Sequence, residues 1–373
     1  MLEKEKLVAI AAVRAAARLC EQVRSDPKQH ILKSDNSPVT IADYGAQAII
    51  GQALASNFPQ DPLVAEEDAA EFTSDNNSAN NLLESQVRHY VQTYLYLPNP
   101  NDNSIAVSRE DIIRWINHGN GQVNPTGRYW TLDPIDGTKG FLRGGDGQYA
   151  IALALIENGR VKLGVLGCPA MKAEINDNVT MQGTLYVAMR GQGTTLMPLL
   201  VDGTNQRDES QSAEFSATTN SRVSCSSLDN TNDKNFRMVE SVEAAHGNQS
   251  LQKTIAQAVG ITTESIRVDS QVKYAMVASG KAALYLRFSK VKNESNNSNT
   301  TVAATNFYRE NIWDHAAGAI VVEEAGGKVS DMDGKPLNFT EGNKMNSNRG
   351  VVVSCNENIH QQVIHALKEY FKE

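Results

Sequence analysis

Asp133 and Asp136 stand three residues apart in Leu132-Asp133-Pro134-Ile135-Asp136-Gly137-Thr138, at the end of an apolar run, Tyr129-Trp130-Thr131-Leu132, that reads as a strand entering a tight turn. Carboxylates at this spacing, with a backbone carbonyl freed by the turn, are hard oxygen donors. Such donors suit Mg²⁺ held through few protein ligands and completed by water and substrate phosphate. Pro134 fixes its own φ and restricts Asp133, while Gly137 can take the positive φ that brings backbone N–H groups against an anion. One segment could therefore serve both a metal and a phosphate. An ordinary turn is the plain alternative, because Asp-Pro and Asp-Gly are common turn dipeptides.

Further carboxylates sit where elements begin or end. Asp43 falls in the first turn of a helical pattern made by Ile41, Ala42, Gly45, Ala48, Ile49, Ala53 and Leu54, where an acidic residue also simply suits the helix dipole. Pro62-Leu63-Val64-Ala65 reads as a short buried strand that delivers Glu66 and Glu67 at its end, with a solvated acidic loop as the alternative. Trp313-Asp314 opens a run of small and apolar residues, 316 to 325, whose helix is expected to hold Asp314 in its first turn and to come close to a phosphate.

Asp133-Pro134-Ile135-Asp136-Gly137-Thr138, followed about 180 residues later by Trp313-Asp314-His315-Ala316-Ala317-Gly318, resembles the two motifs of the lithium-sensitive, magnesium-dependent phosphatase superfamily. That superfamily includes inositol monophosphatases, inositol polyphosphate 1-phosphatases and 3'(2'),5'-bisphosphate nucleotidases. Gly140-Phe141-Leu142-Arg143-Gly144, Asp269-Ser270-Gln271-Val272-Lys273-Tyr274 and Tyr285-Leu286-Arg287 are most similar to the fungal bisphosphate nucleotidase branch. The resemblance covers most of the chain apart from its polar insertions.

The resemblance implies a layered αβαβα sandwich, α+β in its first part and α/β in its second, like the inositol monophosphatase and fructose bisphosphatase fold. It also implies Glu66, Asp133, the Ile135 carbonyl, Asp136 and Asp314 as ligands to two or three Mg²⁺ ions, with Li⁺ as an inhibitor. Asp43 and Thr138 would activate a water. Gly137, Thr138, His246, Ser270, Lys273, Arg287 and Asp314 would contact the substrate. The implied reaction removes the 3'-phosphate of adenosine 3',5'-bisphosphate to give AMP and phosphate, with 3'-phosphoadenylyl sulfate as a second substrate. An inositol phosphate phosphatase is the alternative inside the family, and a nucleotide-binding sensor without turnover is the alternative outside it. Two departures stand out: Ala65 where the family usually has Gly, and Ala283 where an Asp commonly precedes the Tyr-Leu-Arg strand.

A chain of 373 residues with 40% hydrophobic residues is long enough for two cores. We expect an N-terminal α+β domain over 1–228, carrying an antiparallel sheet and most metal ligands, and a C-terminal α/β domain over 229–373 with the nucleotide pocket and Asp314. A net charge of −8 argues against a general nucleic-acid or membrane surface, so the expected partner is a small phosphorylated nucleotide. Cys20, Cys168, Cys225 and Cys355 are widely spaced, which indicates neither a disulfide framework nor a zinc site and fits a reducing, cytoplasmic setting. The mixed-charge start, Met1 to Lys6, lacks the order of a signal peptide, and a monomer is expected.

Helices are expected at about 3–24 and 82–95, after Ser108, and at 250–259, 274–279 and 358–371. Strands are expected at 148–156 and 160–166, joined through Asn158-Gly159 as a type I' hairpin, and at 184–189, 194–197, 236–242, 266–268, 283–288 and 351–354. The polar stretches 72–81, 202–220 and 292–306 read as loops or insertions.

Overall fold

Strand residues alternate between two hydrophobic cores, and this alternation generates the layers. In the computed structural model, which describes residues 2–25, 30–32, 38–72, 78–95, 106–176, 179–200, 221–225, 227–228, 233–243, 248–288 and 308–372, the first sheet has seven strands. They are β3 (Leu63–Ala65), β4 (Arg128–Asp136), β5 (Ala150–Glu157), β6 (Arg160–Asn176), β7 (Val179–Met189), β8 (Gly193–Pro198) and β9 (Ser221–Val223), in that spatial order. The β3–β4 pair is parallel and the other pairs are antiparallel. A short separate hairpin pairs β1 (His30–Leu32) with β2 (Pro38–Thr40).

Along β5, Ile151, Leu153 and Leu155 face one core, while Ala150, Ala152, Ala154 and Ile156 face the other. The period of two in a strand makes this alternation the signature of a sheet covered on both faces. One face is covered by α1 (Glu3–Arg24) and α2 (Ile41–Asn57), with α3 (Ser78–Tyr94) and α4 (Arg109–Asn117) packed against α2. The stripe expected on α2 is in fact a buried circumference: every residue from Ile41 to Leu54 is buried, because helices and sheet enclose it. Helix α3 begins at Ser78, earlier than its apolar pattern, and Asn81 near its start accepts a hydrogen bond from Arg109 of α4 at 3.3 Å.

The short α5 (Thr138–Arg143) follows β4 directly, and α6 (Gln249–Ala258) belongs to the second half of the sandwich. The second sheet contains β10 (Arg237–Glu240), β11 (Thr263–Arg267), β12 (Leu284–Arg287), β13 (Lys328–Ser330) and β14 (Val351–Ser354), ordered β11-β10-β12-β14-β13. Between the two sheets lie α7 (Val272–Ala278) and α8 (Ala316–Glu324), and α6 with α9 (Glu357–Tyr370) covers the outer face. The result is the five-layer αβαβα sandwich.

The Asn158-Gly159 hairpin has positive φ at both residues, 52° and 71°, as a type I' turn requires. The small residues of α8 serve packing: a Cβ on Gly318 would lie 2.4 Å from the Tyr274 ring. Among the described residues no helix is long and apolar enough to cross a membrane. Ser37, His246, residues 73–77 of the first polar stretch, and the stretches 202–220 and 292–306 lie outside the described residues.

His360 of α9 joins this sandwich to solution pH. Its ring is buried and bonds Ser330 Oγ at 2.8 Å and Ser354 Oγ at 2.9 Å, and burial lowers its pKa from 6.5 to about 4. Because the folded value lies below the unfolded one, the stability it contributes is present above pH 6.5 and is lost as pH falls toward 4. Charging this group should destabilise the fold by about 2 kcal/mol at pH 5 relative to pH 7.5. Urea unfolding at the two pH values should show a smaller pH dependence in His360→Gln; an unchanged dependence would refute the assignment.

Candidate active site

Three carboxylates converge at the C-terminal end of β4. One oxygen from each of Asp133, Asp136 and Asp314 lies within 4.8 Å of the others, although Asp314 comes from a turn nearly two hundred positions away. Strand β4 delivers the first two through a bulge: Asp133 pairs with Ala152 and Asp136 with Ala150, so three steps on β4 match two on β5. Pro134, with no N–H to give, and Ile135 fall out of the ladder there, which frees the Ile135 carbonyl. That carbonyl accepts a hydrogen bond from Thr138 Oγ1 at 3.4 Å.

Glu66 arrives through strand register. Ala65 pairs with Leu132 in the parallel β3–β4 ladder, so Glu66, the residue just past β3, is brought to Asp133, whose charge it repels. Glu66 is exposed and Asp133 is buried. Asp43 is the third residue of α2 and closes a capping box: its Oδ2 accepts from Thr40 N at 2.7 Å and Thr40 Oγ1 at 2.6 Å. Asp43 is thus in the first turn as expected, and Asp314 is not. His315 is the N-cap of α8, with φ −136°, and its buried ring bonds Tyr274 Oη at 2.7 Å through Nδ1. Asp314 therefore precedes the helix.

Gly137 has φ +89° and starts the turn into α5. A side chain there would be strained, and its Cβ would also lie 2.9 Å from Ser270 Cβ. Ser270, itself at φ +66°, brings the next amide to the cluster, where Gln271 N donates to Asp136 Oδ2 at 2.6 Å. Two cations stand behind the carboxylates, Lys273 buried and Arg287 half-buried. Lys273 Nζ donates to the Val268 carbonyl at 3.3 Å and lies 5.3 Å from the centroid of the Tyr285 ring. Arg287 forms an ion pair with Glu310 at 2.7 Å and stands 4.0 Å from Asp314.

The electrostatics match a site built around a cation. Burial, followed by repulsion from Glu66, Asp136, Asp314 and Asp43, raises the Asp133 pKa well above the carboxylate range. Asp136 is raised to about 6 by burial and by Asp314, against the pull of Lys273 and Arg287. Burial lowers Lys273 to about 8, opposed by Asp136. Glu310 is pushed up by burial, but Arg287 and His315 outweigh this and bring it down to about 2. Asp133 Oδ1 is buried and has no hydrogen-bond partner among the described residues. An orphaned carboxylate oxygen facing like charges is what a hard divalent ion satisfies, so this donor set fits Mg²⁺.

Residues 1–372 match the inositol monophosphatase family. The chain belongs to that family. It is 36% identical over 384 residues to 3'(2'),5'-bisphosphate nucleotidase 1 of Candida albicans, covering 99% of this chain and 96% of that protein. It is 38% identical over 371 residues to the 3'(2'),5'-bisphosphate nucleotidase of Schizosaccharomyces pombe, covering 98% and 95%. A Thermotoga maritima IMPase has the same fold, with a TM-score of 0.55, 21% identity and coverage of 98% of this chain and 96% of that one. Inositol monophosphatase family membership accounts for the layered sandwich, and the acidic cluster lies where both halves of this family member meet.

Glu310 and Gln271 escaped the sequence reading as functional residues. Glu310 gives Arg287 its counter-charge, and Gln271 contacts both carboxylate-bearing segments. Gln271 stood inside a recognised motif, but no spacing marked its role. A lone Glu four residues after the polar stretch 292–306 carried no signal.

Proposed function

We propose that the protein is a Mg²⁺-dependent phosphomonoesterase that removes the 3'-phosphate of adenosine 3',5'-bisphosphate, giving AMP and phosphate. The observation that carries the reaction class is the convergence of Asp133, Asp136 and Asp314 around an unsatisfied carboxylate oxygen. The bisphosphate nucleotidases that match along nearly their whole length supply the substrate class. The ligands would be Glu66, Asp133, the Ile135 carbonyl, Asp136 and Asp314, holding two or three ions, with Li⁺ competing for one position. When bound, such ions lower the pKa of a water and neutralise charge on the leaving oxygen.

The chain's own groups do the rest. Asp43 takes the proton of the attacking water, with Thr138 orienting it, and the backbone N–H groups of Gly137 and Thr138 hold the scissile phosphate. Water attacks phosphorus as the ester bond to the 3'-oxygen breaks, and that oxygen takes a proton from solvent to leave as the ribose hydroxyl. Lys273 and Arg287 bind the 5'-phosphate, which does not react, while Ser270 and His246 contact the nucleoside. Arg287 must then divide its charge between Glu310 and the substrate. 3'-Phosphoadenylyl sulfate, which presents the same 3'-phosphate, is the second substrate.

The pocket is tested by comparing a bisphosphate with its 3'-monophosphate. In Lys273→Ala or Arg287→Ala, kcat/KM for the bisphosphate should fall by about 1.5 to 3 kcal/mol, as for a lost charge-assisted contact, while the monophosphate value changes much less. Equal losses on both substrates would remove these residues from the pocket and leave the carboxylate site standing.

A further inference from the structure

Gln271 is 2% exposed and makes three contacts to the two segments that carry the carboxylates. Its backbone N–H donates to Asp136 Oδ2 at 2.6 Å. Its side-chain Nε2 donates to the Trp313 carbonyl at 2.8 Å, and its Oε1 accepts from Gly318 N at 3.0 Å. The Trp313 carbonyl belongs to the peptide bond that leads into Asp314. A single residue therefore grips the end of β4 and the turn before α8. We infer that Gln271 is a positioning residue that sets the spacing between the Asp136 and Asp314 carboxylates and so the divalent-ion affinity of the site.

The chemistry of the side chain supports this role over plain filling of space. A carbonyl and an N–H must be satisfied together, which takes a group that donates and accepts while remaining neutral, and an amide does both. Only one orientation of the amide satisfies these partners. Gly318 is in the first turn of α8, where backbone N–H groups lack intrahelical acceptors, and the N-cap His315 makes no side-chain capping bond. Gln271 supplies the missing acceptor from another element. Asparagine is one methylene shorter, and glutamate would set a carboxylate against the Trp313 carbonyl in a site already crowded with negative charge.

The inference rests on the metal reading proposed above, and the test separates the two. Mn²⁺ is titrated by calorimetry into substrate-free, chelator-treated protein, with melting temperature measured in parallel. Gln271→Met keeps the volume and loses both side-chain bonds; Gln271→Glu keeps the acceptor for Gly318 and covers the case in which the first variant fails to fold. Folded variants should bind Mn²⁺ roughly 10- to 100-fold more weakly, the cost typical of losing a group that orients a metal ligand. Asp136→Asn is the comparator. If Asp136→Asn weakens Mn²⁺ binding while the Gln271 variants lose only melting temperature, Gln271 is a helix cap alone and the inference falls. If Asp136→Asn binds Mn²⁺ as wild type does, the metal reading falls and takes this inference with it.

Discussion

Asp136→Asn is expected to lower turnover by on the order of 10² to 10³, the scale of losing one preorganised electrostatic group at a reacting centre. The same change should stabilise the metal-free protein. Burial and Asp314 raise the Asp136 pKa from 3.8 to about 6, so its ionisation costs folding energy. The sign follows from linkage: with the folded value above the unfolded one, stability is highest below pH 3.8 and is lost as pH rises through 6. At pH 7 the charged group costs about 2 to 3 kcal/mol, which a neutral amide of the same shape avoids while still accepting from Gln271 N. Urea unfolding in EDTA should therefore find the inactive variant more stable than wild type. A variant of near-normal activity, or one destabilised in EDTA, would contradict the assignment.

Asp43→Asn should lower kcat by roughly 10² to 10⁴, as for loss of a general base, with KM little changed. The capping box makes this a clean test, because an Asn oxygen still accepts from Thr40 N and Thr40 Oγ1 still accepts from the amides of Ala42 and Asp43. Thr138→Val removes a hydroxyl that, without substrate, bonds the Ile135 carbonyl. If both residues serve the same proton transfer, the double variant should lose less than the sum of the two single penalties in free energy. Full additivity in stopped-flow or steady-state rates would separate the two residues into independent roles.

What the sequence made legible was carried by local pattern. The 133–138 motif showed two carboxylates on a strand end, and the structure adds the bulge that frees the Ile135 carbonyl. The runs 148–156 and 160–166, joined through Asn158-Gly159, foretold the antiparallel sheet beside the site. The helix holding Asp314 was misplaced by two residues because His315 uses its ring on Tyr274 and adopts a non-helical backbone, which no local preference encodes. Gly318 in α8 admits the Tyr274 ring, a packing partner that local pattern does not name. Lys273 and Arg287 were legible as cations but their counter-charges were not. Asp136 and Glu310 meet them only after the layers close. Gln271 is the extreme case, since its three partners come from two stretches of chain distant from its own.

The decisive measurement is phosphate release by the wild-type protein, with Mg²⁺ and after chelation, from adenosine 3',5'-bisphosphate and inositol 1,4-bisphosphate side by side. The carboxylate cluster and the cations Lys273 and Arg287 predict a larger kcat/KM for the nucleotide and its collapse in EDTA, with recovery when Mg²⁺ is restored. Far faster cleavage of the inositol bisphosphate, or nucleotide cleavage that persists without divalent ions, would contradict it.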